Sequence, residues 1–239
     1  MSITDKIDCL LAKTEDGVVL TPSDFGMPAK QQPSLIVALN RMVSAGKLSR
    51  LGKGKYYKPH TSVFGEVPPS TYETVKDYLV ENNKTIGYIT GTNAFSGLGL
   101  TTQISGTILI GTNTYRRPRN RGIERIAFVL QPNPICEEEI ELYVILDALR
   151  FIKRIPACTP EEALEILIPT IKRLHRAKQR RLQELALAYS PSVRALLGAI
   201  YEKLSLPRKA LANSLNGTTY YRLPIGEEIL PTKSNWRII

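Results

Sequence analysis

The stretch LSRLGKGKYYKPH, from Leu48 to His60, decides how the N-terminal part of this 239-residue chain is read. Arg50, Lys53, Lys55 and Lys58 surround two glycines and a pair of tyrosines, with no acidic residue among them. Glycine supplies the positive φ that a tight turn needs, so Gly52-Lys53-Gly54 between two hydrophobic-polar runs predicts a β-hairpin. Adjacent strand residues face opposite sides, so Tyr56 and Tyr57 are expected to alternate between core and surface. A cationic hairpin of this kind suits a polyanion.

Upstream, QQPSLIVALNRMVSAGK (Gln31 to Lys47) spaces Leu35, Leu39, Met42 and Val43 as one helical stripe. Pro33 fits the first turn of that helix and Gly46 its end. Before it, TPSDF offers Thr21 or Ser23 as the cap of a short helix. Val18 to Leu20 reads as a short strand, and Ile3 to Lys13 as an opening helix. Helix, short strand, helix, helix, basic hairpin is the order of a winged helix-turn-helix, predicted over residues 1–62. In that class the later helix enters the major groove while neighbouring elements grip the backbone. Gln31, Gln32, Ser34, Asn40 and Arg41 are the helix residues able to meet base edges, since Asn and Gln pair with adenine and Arg with guanine. Lys47, Arg50, Lys53 and Lys55 are the cations expected against phosphates, where they release condensed counterions. A solvated amphipathic face would use the same residue types, so the expectation rests on the combination.

Composition agrees with a nucleic-acid partner. The hydrophobic fraction is 43% and the formal net charge +10, with a sequence pI near 9.5. Such a balance favours acidic partners and says nothing about fold. Cys9, Cys136 and Cys158 are odd in number and include no CxxC pair, and His60 and His175 are the only imidazoles. A disulfide framework and a metal site are therefore not expected, and no cofactor is expected. The first residues are too polar for a signal peptide, and no apolar run approaches the roughly 18 to 20 residues of a membrane span. A cytoplasmic location is the expectation.

A second domain is predicted over 63–239, opened by the linker-like TSVFGEVPPS and a helix at TYETVKDYLVENN. The glycine-dense segment from Ile86 to Asn113 contains neither GxxxxGK[ST] nor GxGxxG, so its glycines are read as punctuating the strands GYIT and TILIGT around a short helix at Ala94 to Leu98. TYRRPRNRGIER gathers Arg116, Arg117, Arg119, Arg121 and Arg125 in a loop suited to bidentate phosphate recognition. From about residue 136 the domain turns helical. Glu137, Glu138 and Glu139 are read as helix-start residues that complement the dipole rather than as a catalytic cluster. Thr159 and Glu162 have capping-box spacing, and Pro169 is expected to kink or divide the helix that follows. KRLHRAKQRR, carrying Lys172, Arg173 and Arg176, is a second cationic segment on a helix. Trp236 is expected to anchor the tail. The predicted class is α+β: a winged helix-turn-helix, then a mixed α/β domain with a helical C-terminal part.

Three segments carry a resemblance. TPSDF, then ALNRMVSAGKLSRLGKGKYYKP, then TGTNAFSGLGLTTQ, in this order and spacing, resemble the AbiEi family of type IV toxin-antitoxin antitoxins and its uncharacterised relatives. Ala94, Leu98, Gly99, Leu100, Thr101, Thr102 and Gln103 match the family's Ala-x-x-x-Leu-Gly-Leu motif followed by Thr-Gln. Ile104-Ser105 depart from the valine and proline expected next. The resemblance covers roughly residues 3 to 130. It implies a non-enzymatic repressor that binds double-stranded DNA at its own operator, and whose second domain counteracts a nucleotidyltransferase-like toxin in abortive infection without needing a stable complex. Two other classes compete. A nuclease would need carboxylates such as Asp147, Glu124 or the glutamate triplet to converge on a divalent cation, and an RNA-binding protein would use the same basic surface with exposed aromatic platforms.

Overall fold

The computed structural model describes residues 2–63 and 65–239. Its contacts divide the chain into two units, Met1–Asp77 with Arg119–Ile126, and Tyr78–Pro118 with Ala127–Ile239. The fold is α+β with a helical C-terminal part.

In the first unit, helix α1 (Ile3–Lys13) starts on a capping box: the Ser2 hydroxyl accepts from the Asp5 amide at 3.1 Å and the Asp5 carboxylate accepts from the Ser2 amide at 2.8 Å. Strand β1 (Val19–Leu20) follows. The short helix expected next is a pair of 3-10 turns, Pro22–Phe25 and Ala29–Gln31, the second running directly into α2 (Gln32–Ser44). Strands β2 (Ser49–Gly52) and β3 (Lys55–Tyr57) form the hairpin, with Gly54 at φ 67° in its turn. The sheet order is β1-β3-β2, with Leu20 opposite Tyr56 and Ser49 opposite Tyr57. Ile7, Leu11, Leu20, Met27, Leu35, Leu39, Met42, Leu48 and Tyr56 make the core. Burying a Leu such as Leu39 here stabilises by about 2 to 5 kcal/mol, judged by truncation to Ala.

The segment read as a linker is structured. Strands β4 (His60–Ser62) and β5 (Gly65–Val67) pair antiparallel, and the Tyr57 hydroxyl donates to Glu66 at 2.6 Å. Tyr57 is therefore buried along with Tyr56, and the expected alternation does not hold. Helix α3 (Thr71–Leu79) comes next, and its Glu73 carboxylate accepts from the Val19 amide at 2.9 Å. The first unit thus continues past residue 62, where the sequence suggested a boundary.

The second unit opens with β6 (Val80–Glu81) and β7 (Lys84–Thr85), then β8 (Gly87–Thr90), α4 (Thr92–Gly97) and β9 (Thr107–Thr112). Strands β10 (Arg119–Arg121) and β11 (Glu124–Leu130) complete a sheet of order β10-β11-β9-β8; β10 and the start of β11 group with the first unit. Helix α5 (Ile140–Arg150) is buried along nearly its whole length and is followed by α6 (Pro160–Arg173), α7 (Arg176–Ala186), α8 (Pro191–Lys203) and α9 (Lys209–Asn213). The Thr159 and Glu162 capping box is present at the start of α6. Pro169 does not divide this helix. Buried Leu164, Leu167, Ile168 and Ile171 hold it on both sides of the proline, offsetting the roughly 3 kcal/mol a mid-helix proline costs. The break comes at Leu174, which is extended, and His175 then caps α7. Trp236 is buried against α8 so closely that a Cβ at Gly198 would meet its ring at 2.0 Å.

Asp147 lies inside this helical core, 1% exposed. Tyr88 and Thr90 donate to one of its oxygens at 2.7 and 2.9 Å, and Tyr189 to the other at 3.3 Å. Gln131 donates to both tyrosine hydroxyls at 2.7 Å. Burial raises the Asp147 pKa despite these donors.

Candidate nucleic-acid interface

From Phe25 to Gly65 the chain contains no Asp or Glu, while Lys30, Arg41, Lys47, Arg50, Lys53, Lys55 and Lys58 fall within it. Helix α2 and the β2–β3 hairpin occupy this acid-free segment. Leu35, Leu39 and Met42 face the core, so Pro33, Ser34, Ile36, Val37, Asn40, Arg41 and Ser44 fall on the opposite face by helical spacing, and all are exposed. Ile36 is 42% and Val37 50% exposed. The sequence reading, which considered only polar residues, missed this apolar pair. The signal for it was available: both lie off the 35/39/42 stripe.

The predicted helix residues have different fates. Gln31 is exposed at the end of its 3-10 turn. Gln32 donates its amide to the Met27 carbonyl at 3.1 Å, which fixes the turn entering α2. Ser34 and Arg41 are exposed, and Arg41 has no ion-pair partner among the described residues. Asn40 accepts from the buried Tyr56 hydroxyl at 3.3 Å, which ties the exposed face of α2 to the hairpin.

The hairpin cations also separate. Lys53 is exposed in the turn without an ion pair among the described residues. Arg50 donates to the Gly52 carbonyl at 3.3 Å and is exposed. Lys47 meets Asp8 at 3.6 Å with both side chains largely in solvent, a pair of little energetic weight. Lys55 is held differently: its ammonium lies 3.1 Å from Asp77 and its side chain is 15% exposed. Arg121 grips the same carboxylate with two nitrogens, at 2.5 and 3.1 Å, and donates to the Thr74 carbonyl at 2.6 Å. Burial works against the Asp77 charge, but the Arg121 hydrogen bonds and charge, followed by Lys55, outweigh it and hold the carboxyl below its ordinary range. Lys55 and Arg121 are thereby engaged within the first unit.

The arginine-rich segment read as a loop is partly strand: Arg119 in β10 and Arg125 in β11 are exposed on the β10–β11 hairpin. Within the second unit, Arg116 sits over the Tyr78 ring at 5.4 Å and Arg117 is exposed. The second cationic segment is not one helix face. Lys172 and Arg173 end α6, where their charge suits the helix C-terminus, and Arg176 opens α7. Farther along α7, Lys178 pairs with Glu141 at 2.5 Å and Arg181 pairs with Glu139 and Glu184. Arg176 and Arg180 border a cavity of about 410 Å³ with Gln179 and Tyr201.

The carboxylates weighed for a nuclease are accounted for separately. Asp147 is enclosed by three hydroxyl donors. Glu139 meets Arg181 and the Tyr143 hydroxyl, and Glu137 accepts from Thr85 at 3.3 Å. Glu124 has a buried oxygen with no hydrogen-bond partner. Among the described residues no group of three or more His, Cys, Asp or Glu could hold a metal ion, and no helix is long and apolar enough to cross a membrane.

No curated protein matches the chain. Among solved structures, it is similar to the RV2827C protein from Mycobacterium tuberculosis, with a TM-score of 0.51 and 16% identity over 92% of this chain and 84% of that one. At that identity the likeness concerns the fold alone. The model of a family of unknown function, DUF6088, matches residues 6–181, most of the chain. The chain belongs to this family.

Proposed function

We propose that the chain is a sequence-specific double-stranded DNA-binding regulator, with its first unit acting as a winged helix-turn-helix. The observation that carries this reading is the exposed face of α2 beside a hairpin that presents Arg50 and Lys53, within a segment lacking any acidic residue. In this reading α2 enters the major groove. Arg41 pairs with a guanine edge, and Ile36 and Val37 lie against thymine methyl groups, which gives an exposed apolar pair a role at the centre of a polar face. The Asn40–Tyr56 hydrogen bond fixes helix and hairpin relative to each other, so phosphate contacts by Lys53 set the register in which α2 reads bases.

The resemblance to AbiEi antitoxins extends the proposal to a cytoplasmic repressor of its own operon that antagonises a nucleotidyltransferase-like toxin. That part rests on the resemblance alone. It is tested by growth rescue when the chain is expressed with a toxin encoded next to it.

For DNA binding, the full chain is used to enrich a duplex from a random library, and its affinity is then titrated against a scrambled duplex of equal length. At physiological salt the expected preference is about 10³-fold or more. Equal affinity for both duplexes would reduce the protein to a non-specific polyanion binder.

A further inference from the structure

A second cationic site lies in the second unit, on residues to which the DNA reading gives no role. The end of α5, the 3-10 turn Ile152–Arg154 and the tail from Tyr220 to Leu223 enclose a cleft of about 460 Å³. Arg150, Lys153, Arg154 and Arg222 line it, and no acidic residue does. Among the described residues none of the four forms an ion pair. Four like charges gathered in one cleft repel one another; the carboxyl of Asp147 feels the charge of Arg150 from within the core, without forming an ion pair with it.

Two of the four cations, Arg150 and Arg154, are held in place by contacts other than ion pairs. The guanidiniums of Arg150 and Arg154 lie over the Phe151 ring at 5.5 and 5.0 Å, and Arg150 also donates to the Leu130 carbonyl at 3.0 Å. The opposite wall is anchored by backbone hydrogen bonds: the Tyr221 amide donates to the Arg237 carbonyl and the Leu223 amide to the Ile239 carbonyl, both at 2.8 Å. On this fixed wall Tyr220 is 63% exposed, an aromatic face left in solvent at the edge of the cationic cleft. Beside it, buried Tyr221 keeps a hydroxyl with no hydrogen-bond partner among the described residues.

We infer that this cleft binds single-stranded nucleic acid, with phosphates on Arg150, Lys153, Arg154 and Arg222 and a base stacked on Tyr220. Cations following a backbone beside an exposed aromatic platform are the recognition chemistry of unpaired strands, whose bases are free to stack. A cleft of this volume matches a ligand of mononucleotide size. A duplex, about 20 Å across, keeps its bases stacked inside and offers none to the tyrosine. An acidic peptide would satisfy the charges and leave Tyr220 unused.

The test uses the full chain and fluorescently labelled 12-nucleotide oligo-U RNA and oligo-dT DNA, followed by anisotropy, with polyglutamate as competitor. Lys153→Glu/Arg222→Glu should weaken binding of the single strands at least tenfold and flatten the dependence of log K on log salt by about 0.7 per lost phosphate contact. Tyr220→Ala should weaken it roughly 5- to 150-fold while changing the salt slope little. Both variants alter exposed side chains, so an unchanged thermal midpoint verifies the fold, and their affinity for the enriched duplex should stay at the wild-type value. Conversely, Arg41→Ala should weaken duplex binding and leave the single strands unaffected, so failure of the DNA reading and failure of this one are distinguishable. Tighter binding of RNA than DNA assigns the ligand as RNA, and equal binding makes the site indifferent to the sugar; either supports the site. No single-strand binding by the wild type, an unchanged affinity in Tyr220→Ala, or polyglutamate competing as well as the oligonucleotides would overturn it.

Discussion

The two units treat their charged side chains in opposite ways. In the first, a small core is ringed by ion pairs at its edge, and Asp77 joins Lys55 to Arg121 where its side chain is still 38% exposed. In the second, a far larger core encloses Asp147 completely and satisfies it with three hydroxyls. The two aspartates shift in opposite directions, Asp77 down and Asp147 up. Both are structural, because each already has its partners. Among the cations without an ion pair among the described residues are Arg41 on α2 and Lys53 in the hairpin turn of the first unit, and Arg150, Lys153, Arg154 and Arg222 around one cleft of the second. Both proposals rest on cations without an ion-pair partner rather than on abundance of charge.

The largest effect should come from the buried network. Asp147→Ala leaves the Tyr88, Thr90 and Tyr189 hydroxyls without their acceptor and should lower stability by about 3 kcal/mol or more. Denaturant unfolding followed by Trp236, the only tryptophan and buried in the second unit, reads this directly. A loss below about 1 kcal/mol would mean that the network is not what holds the second unit's centre.

Acid separates the units next. A carboxyl whose folded pKa is lowered contributes stability that is present above its unfolded pKa, near 3.9, and is lost as pH falls through the folded value. Asp77 should therefore loosen the first unit as pH drops below the ordinary carboxylate range, and Asp77→Asn should remove that part of the acid sensitivity. Asp147 has the reverse sign: the native state holds its proton more tightly, so its contribution is largest below the unfolded pKa and declines as pH rises toward the folded value. Hydrogen exchange resolved by unit checks this. Equal acid sensitivity of the first unit in wild type and Asp77→Asn would contradict it.

On DNA the effects should descend from helix to hairpin. Ile36→Asp places a carboxylate on the face proposed to enter the groove and should weaken binding to the enriched duplex by several kcal/mol, while stability changes by less than about 0.5 kcal/mol because the side chain is exposed. The smallest contrast is within the hairpin. Lys53→Ala should reduce the salt slope by about 0.9, whereas Lys55→Ala should leave it unchanged because Asp77 already engages that ammonium. A flattened slope in both variants would mean that Lys55 leaves Asp77 to meet phosphate.

Much of the first unit was legible because its signals are local. The apolar stripe of the opening helix, Pro33 in the first turn of α2, and Gly54 in the hairpin turn each act within a few residues. Tyr57 was misread because the strands covering it come from a segment whose Gly65, Pro68 and Pro69 looked like a linker. The pairing of Lys55 and Arg121 with Asp77 joins residues 22 and 44 positions apart in sequence, and no local pattern announces which carboxylate a cation will meet. Pro169 shows the same limit: its propensity to break a helix is local, while the burial that outweighs it is tertiary. Ile36 and Val37 were legible from periodicity, but their exposure gains meaning only once the core stripe of α2 is fixed. The Tyr220 cleft was invisible in the sequence, since α5, the turn after it and the tail lie about 70 residues apart.

The most direct test is a salt-series titration of the enriched duplex with two double variants of the full chain. Arg41→Ala/Lys53→Ala removes cations that lack a partner on α2 and its hairpin; Lys172→Ala/Arg173→Ala removes the same number of positive charges from the end of α6. The account predicts that the first variant loses specific affinity and flattens the salt slope, while the second keeps both near wild type. Equal losses in the two would assign binding to net charge, and a loss confined to the α6 variant would move the interface off the first unit altogether.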